Sequence, residues 1–474
     1  MVSSLTRRRF LTYSGGAAIA ATTAGAGWAA LVSRARTDPL PVGAGVGHGH
    51  ALRRQRRPEH RDPGRRPRLP RRPPELAYTA DEVHPLADGL GLNPGMTGLK
   101  ALWDQGRLAI VRGVSYPRLD HSHVRSMDIW QTAAPDHPLP TGWLGRWLDT
   151  TGHDPLRAVS LEPVLPPMLA GATTAGAALP LHGLTLPAGP LARAFEALGQ
   201  PCAGEPPLQA LAARAISNLH RTARALGPAL AHTTTAPPAG GALATQLQVV
   251  ARCVEMGAPT QAYSVSSGGF DTHTAERPTQ QRLLTAVDQA ITGFLSRMHG
   301  SARGRNVVLV AYSEFGRRVA ANTNEGTDHG TAGPVFVAGA PVRGGFFGAQ
   351  PSLTDLNDGD LKPTTDFRDI YATLIAGVLR TDPEPVLGPG PGILPCSPSS
   401  RGCGRGAAGA AGDNVSAIWP LRRLAAHSGD VWLLVAPDSL AAHSRREPHG
   451  TGREPSTSTE LKVGDSSSSE VCPS

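Results

Sequence analysis

Arg305-Asn-Val-Val-Leu-Val-Ala-Tyr-Ser-Glu-Phe-Gly-Arg-Arg318 joins a continuous apolar run to a cluster of polar groups. The run is short and bounded by turn residues, which suits a strand buried on both faces of a parallel or mixed sheet. Gly333-Pro-Val-Phe-Val-Ala338 reads the same way, and Leu108-Ala-Ile-Val-Arg-Gly113 and Gln261-Ala-Tyr-Ser-Val-Ser266 look like further strands. Helical spacing appears between them. Leu283, Leu284, Val287, Ile291, Phe294, Leu295 and Met298 recur along one helix face, as do Phe367, Ile370, Tyr371, Leu374, Ile375 and Val378 along another. Asp366, with Asp369 three residues on, resembles a capped helix start. Strands alternating with helices argue for an α/β sandwich.

Three segments carry candidate chemistry at expected strand ends: Gly268-Gly-Phe-Asp-Thr-His273, Ser313-Glu314 and Gly326-Thr-Asp-His-Gly330. Carboxylate and neutral imidazole are the ligands that borderline and hard divalent ions select, and glycine neighbours let separate loops converge. Asp271 and His273, two residues apart, face the same side if the strand continues, which suits chelation of one ion; the alternative is an Asx-turn beside a surface histidine. Glu314 follows directly on a strand, where open sheets place ligands. Its alternative is an ion pair with Arg317 or Arg318. Asp328 and His329 offer two more ligands, unless Asp328 is a cap. His121 and His123, after Tyr116-Pro117, supply further imidazoles or acid–base groups, or else only loop hydrogen bonds. Trp143 and Trp147 read as packing residues on a helix. The ligands do not choose among Zn, Mg, Mn and Ca.

The chain has 474 residues, a formal net charge of +8 and a sequence that is 40% hydrophobic, which is ample for one large core. The charge is local: residues 51–72 hold ten Arg against Glu59 and Asp62, a net of +8, so the remainder sums to about zero. That segment has no interleaved aromatic residues, which sets a nucleic-acid partner aside. Five cysteines, Cys202, Cys253, Cys396, Cys403 and Cys472, show no metal-type spacing and predict no disulfide framework. Thr6-Arg-Arg-Arg-Phe-Leu11 and the weakly apolar run from Leu11 to Val32 have the pattern of a twin-arginine export signal over residues 1–35. The expected partner is therefore the twin-arginine translocation machinery, and the expected location periplasmic or extracellular, with no stable membrane span after cleavage. Residues 36–74, rich in Arg and Pro, read as disordered, residues 75–387 as the globular body, and residues 388–474 as a disordered tail.

These residues resemble a known family. Asp120-His-Ser-His123, Asp128-Ile-Trp130, Gly142-Trp-Leu-Gly-Arg146, Gly268-Gly-Phe-Asp-Thr-His273, Ser313-Glu-Phe-Gly-Arg-Arg318, Gly326-Thr-Asp-His-Gly330, Gly344-Gly345 and Thr364-Thr-Asp-Phe-Arg368 are similar, in order and spacing, to the exported bacterial family called domain of unknown function 1501. That family is itself similar to the alkaline phosphatase and sulfatase superfamily. The resemblance implies an alkaline-phosphatase-like three-layer sandwich around a central, mostly parallel sheet. It also implies divalent ions at the C-terminal edge of that sheet, with Asp271, His273, Glu314, Asp328 and His329 as the metal residues. Phe315 stands where the superfamily has a histidine, which favours one metal ion over two, or an inactive relic.

A second departure lies at the N-terminal side. The family opens with an apolar strand leading into a Gly-Gly-x-Asp-Gly-Leu-Asn loop, whereas this chain has Ala51-Leu-Arg-Arg-Gln-Arg-Arg-Pro-Glu-His60. Three Lys beside 43 Arg, 46 in all, mark a GC-rich gene. Written GCT CTA CGG CGG CAA CGA CGG CCT GAA CAC, the decapeptide loses its first base to read Leu-Tyr-Gly-Gly-Asn-Asp-Gly-Leu-Asn. Residues 40–72 are then expected to be out of frame, the first strand missing or disrupted, and the backbone of its neighbours unpaired.

The functional expectation is an exported, metal-dependent hydrolase-like protein acting on a phosphate or sulfate ester, with Arg317, His121 and His123 as catalytic candidates. In that reading Arg317 stabilises an anionic oxygen. The rival expectation is a non-catalytic, metal-bound periplasmic or cell-surface binding protein.

Overall fold

Val308-Leu-Val-Ala-Tyr312 is buried along its whole length, as an unbroken apolar run must be when helices cover both faces of its sheet. The computed structural model describes residues 76–396, except 182–185, 188, 201, 203 and 232–237, together with Asp430–Ala436. The segment read as an export signal, the Arg-rich stretch and the rest of the tail lie outside the described residues.

The main sheet has nine strands. In chain order they are β1 (Leu108–Ser115), β2 (Ala158–Ser160), β3 (Ala177–Ala178), β4 (Ala262–Gly268), β5 (Val308–Tyr312), β6 (Gly333–Ala338), β7 (Gly345–Phe347), β8 (Thr365–Asp366) and β9 (Asp430–Ala436). Their spatial order is β7-β1-β6-β5-β9-β4-β2-β3, with β8 also paired to β1. All run one way except β6, antiparallel to β1 and β5, and β9, antiparallel to β5 and β4. The helices are α1 (Thr97–Asp104), α2 (His123–Thr132), α3 (Trp143–Thr151), α4 (Pro190–Leu198), α5 (Pro207–Leu230), α6 (Gly241–Met256), α7 (Glu276–Gly300) and α8 (Phe367–Gly377). No helix among the described residues is long and apolar enough to cross a membrane.

Strand alternation divides the core in two. Leu108, Ile110, Leu309 and Ala311 face one apolar cluster, which holds Leu247, Val250, Leu284, Ile291 and Met298 of α6 and α7. Ala109, Val111, Val308, Val310 and Tyr312 face the other, which holds Trp130, Trp143, Trp147, Tyr371 and Ile375 of α2, α3 and α8. Helices therefore lie on both faces of a mixed sheet. The two apolar helix patterns read from sequence are α7 and α8, and Asp366 does cap α8, accepting from the Arg368 amide. Asp369 serves elsewhere, accepting from the Gly392 amide at 2.7 Å.

Two expectations change. The ordered body was placed to end at Leu387, yet Val431-Trp-Leu-Leu-Val-Ala436 lies within the sheet. Its continuous apolar sequence is the reason: such a run gains more by pairing than by staying in water. The same strand pairs with both β4 and β5. The cysteine reading also needs a qualification, since Cys202 is disulfide-bonded while Cys253 and Cys396 are free and buried.

Beneath the C-terminal edge of β5 sits an aromatic cluster. Trp130 stacks on Tyr312 with centroids 4.7 Å apart and donates from Nε1 to the Glu314 carbonyl at 2.8 Å. Tyr371 donates to the Trp130 carbonyl at 3.0 Å and stacks on Trp143 at 4.4 Å. Trp130→Ala is expected to destabilise the chain by about 3–5 kcal/mol, measured as a lower urea midpoint. A loss under about 1 kcal/mol would show that this cluster does not anchor the edge.

Candidate metal centre

The C-terminal ends of β1, β4 and β5 and the N-terminal end of β6 share one edge of the sheet, as their parallel and antiparallel pairings require. Each delivers a polar side chain there, the usual place for ligands in an open α/β sheet. After β1 the chain reaches His121 and then His123, the first residue of α2, whose cap Ser122 accepts from the Arg125 amide. After β4 come Asp271 and His273. Glu314 follows β5. A hairpin, Arg317–Ala321 with Thr327–His329, sets Arg317 opposite His329 just before β6.

His123, Asp271 and His329 each offer one ligand atom, and these atoms lie within 4.8 Å of one another, so the group could hold a metal ion. Asp271 Oδ1 is 2.9 Å from His329 Nε2 and 3.3 Å from His123 Nε2. Atoms sharing one tetrahedral ion at about 2.0–2.2 Å stand about 3.3 Å apart, so little movement is needed. The hydrogen-bond network assigns the tautomers. His329 Nδ1 is 3.0 Å from the His121 carbonyl, which can only accept, so Nδ1 carries the proton of the neutral ring. His123 Nδ1 is 2.8 Å from Glu314 Oε1, a carboxylate, with the same consequence. Both neutral rings therefore turn an Nε2 lone pair towards a carboxylate oxygen, an arrangement that a cation between them relieves.

His273 has the opposite polarity. Its Nδ1 lies 3.4 Å from Arg317 Nη1, which can only donate, and its Nε2 lies 2.8 Å from Asp271 Oδ1. As an Nε2–H donor it holds the carboxylate without offering a lone pair. Burial opposes the charge of Asp271, but with the rings protonated the His329 hydrogen bond and the charges of His123 and His273 hold its carboxyl down at about 2. Burial pushes His329 below the ordinary imidazole value, against its bonds to Asp271 and the His121 carbonyl.

The loops are braced from behind. Arg317 is 3% exposed, and its guanidinium donates to the carbonyls of Phe270 and Thr327, the residues preceding Asp271 and Asp328. Buried Glu276 accepts from Thr327 Oγ1 at 2.7 Å and supplies the countercharge to Arg317. Asn322 donates to the His273 carbonyl at 3.0 Å and accepts from the Gly326 amide. Gly326 must lack a side chain, because a Cβ there would stand 2.2 Å from the His273 carbonyl oxygen. Phe315 packs against both candidate ligand rings, with centroids 5.0 Å from His123 and 4.4 Å from His329.

The structure thus brings Asp271 and His329 together as the sequence suggested, and adds His123, which had been read as catalytic. Glu314 stands behind His123, and Asp328 is exposed, with Oδ1 3.8 Å from His273 Nδ1. His121 turns away to Asp360 at 3.2 Å, and Asp360 also meets Arg318. Arg317 has its Nη atoms committed to backbone, so its place is between the ligand loops. Asp360 and Glu276 were not singled out from the sequence. Asp360 sits in an ordinary turn pattern, Asn357-Asp-Gly-Asp360, and Glu276 at a helix start, and neither gives a local signal.

The family described as Protein of unknown function (DUF1501) matches residues 212–389. That span carries Asp271, His273, Glu314, Arg317, Asp328 and His329, while His121 and His123 precede it. No curated protein matches the chain, and no solved structure does.

Arg317→Met is expected to leave Glu276 buried without its cation and two carbonyls without donors. The cost should be about 3–5 kcal/mol by chemical denaturation, well above that of Arg318→Met at the partly exposed rim. Equal costs for the two variants would remove the clamp.

Proposed function

We propose that the chain binds one divalent transition-metal ion through His123 Nε2, His329 Nε2 and Asp271 Oδ1, and uses it to activate water for hydrolysis of a phosphate or sulfate ester. The observation that carries this reading is the pair of imidazole lone pairs fixed towards one carboxylate by the His121 carbonyl and by Glu314. Three protein ligands leave a tetrahedral ion one open position, the arrangement of catalytic rather than structural zinc sites. Imidazole-rich donors favour zinc or a neighbouring transition metal over calcium or magnesium. A bound ion would lower the pKa of a water or polarise a substrate oxygen. The chain's own residues supply the rest. Glu314 orients His123 by accepting from its Nδ1. His273 holds the Asp271 carboxylate, and Arg317 keeps the two loops in register. Phe315 fills the space between the ligand rings, which supports one ion rather than two.

The finer fold reading, an alkaline-phosphatase-like sandwich with a lost first strand, is part of the same proposal and draws support from helices on both sheet faces and a ligand edge of this kind. Export by the twin-arginine route fits a protein that folds around its ion before translocation. A second reading, a metal-bound binding protein without catalysis, is favoured by one observation. Arg317 has both Nη atoms on backbone carbonyls, with Nη1 also 3.4 Å from His273 Nδ1, which leaves it a positioning role.

Purified full-length chain is expected to take up one zinc ion, measured by titration and elemental analysis. His329→Ala or Asp271→Ala should weaken binding at least 100-fold, and Glu314→Gln about 10–100-fold. Hydrolysis of aryl phosphate or aryl sulfate that is lost on chelation supports the first reading. Stoichiometric zinc without turnover supports the second, and absence of zinc from the parent chain overturns both.

A further inference from the structure

The candidate metal centre is divided between two halves of the sheet. Strands β7, β8, β1, β6 and β5 form one hydrogen-bonded half, and its loops carry His123, Glu314 and His329. Strands β4, β2 and β3 form the other, and the loop after β4 carries Asp271 and His273. Among the described residues, β9 alone pairs with both halves: Asp430 to Val435 match Gly268 to Tyr263 of β4, and Trp432 to Ala436 match Tyr312 to Val308 of β5.

β9 runs against both of its neighbours. β4 and β5 run parallel to each other, joined by α7 as a crossover, and the strand between them runs antiparallel to both. Residues 397–429, 33 in number, separate it in sequence from the other described residues. That length spans up to about 110 Å when extended, so the connection imposes no constraint on entry. The slot itself demands an occupant. Two inner strand edges about 9–10 Å apart would otherwise leave a row of N–H and C=O groups unpaired in the middle of a sheet.

We propose that the slot between β4 and β5 is a strand-binding site for the segment Asp430–Ala436 of the same chain, and that seating this strand assembles the metal centre. The inference rests on the proposed metal site for its second half only. Seating fixes the separation of Gly268 and Tyr312, from which the Asp271 and Glu314 loops depart. With the slot empty, the half-sheet bearing the two imidazole ligands has no main-chain ladder to the half bearing the carboxylate.

The test uses the full chain. Val431 lies opposite Ser267, and directly opposed antiparallel residues have Cα separations, about 4.5–5.5 Å, that suit a disulfide. Ser267→Cys with Val431→Cys should cross-link within one chain on mild oxidation, identified by mass spectrometry of the joined peptides. Ser267→Cys with Leu433→Cys, two residues out of register, should cross-link at least tenfold less. Absence of the first cross-link, or its appearance only between two molecules, overturns the strand assignment. Leu434→Pro removes a ladder donor from the middle of the strand and should weaken zinc binding at least tenfold. Oxidation of the in-register cysteine pair in that background should restore most of the affinity. Unchanged zinc binding in Leu434→Pro, or no recovery on cross-linking, overturns the link between strand and site. Efficient cross-linking in a parent chain that takes up no zinc would instead dismiss the metal reading and leave the strand site standing.

Discussion

The contact of Asp271 Oδ1 with the Nε2 atoms of His123, His273 and His329, at 3.3, 2.8 and 2.9 Å, is the interaction around which the other features arrange themselves. One carboxylate oxygen cannot satisfy three imidazoles equally. The structure resolves this by fixing each ring from its far side. Glu314 and the His121 carbonyl make His123 and His329 present lone pairs, while Arg317 makes His273 present a proton. The result is a site with two nitrogen donors, one oxygen donor and a hydrogen bond that steadies the oxygen. Few of these groups are interchangeable, because each polarity depends on a partner drawn from a different strand.

Holding such a site demands stiffness where loops usually move. Trp130 ties the Glu314 carbonyl to the aromatic cluster below the sheet, and Arg317 with Glu276 ties the Phe270 and Thr327 carbonyls together. The buried arginine is costly to desolvate, and its pKa is lowered by burial. It stays a cation all the same, since guanidinium titrates far above neutrality. Its contribution is the geometry of two loops rather than net attraction.

Much of this was legible in the residues. Apolar runs of five or six residues announced β1, β4, β5 and β6, and helical spacing announced α7 and α8, because both signals report burial directly. Asp271 and His329 were legible as candidate ligands from their place after or before strands. The exchange of roles between His123 and His273 was not, because a tautomer is set by the group on the far side of the ring, here a backbone carbonyl and an arginine distant in sequence. Antiparallel entry of β6 and β9 was likewise hidden, since an apolar run looks the same in either direction. Val431-Trp-Leu-Leu-Val-Ala436 did carry a strand signal, masked by the polar, Ser-rich surroundings of the tail.

The most direct measurement of the central claim is anomalous diffraction at the zinc edge from crystals of the full-length chain grown with zinc. A single strong peak is expected about 2.0–2.2 Å from His123 Nε2, His329 Nε2 and Asp271 Oδ1, with His273 hydrogen-bonded to Asp271 and outside the coordination shell. A peak bound by His273 in place of His123, or zinc found only on surface histidines such as His121, would contradict the assignment.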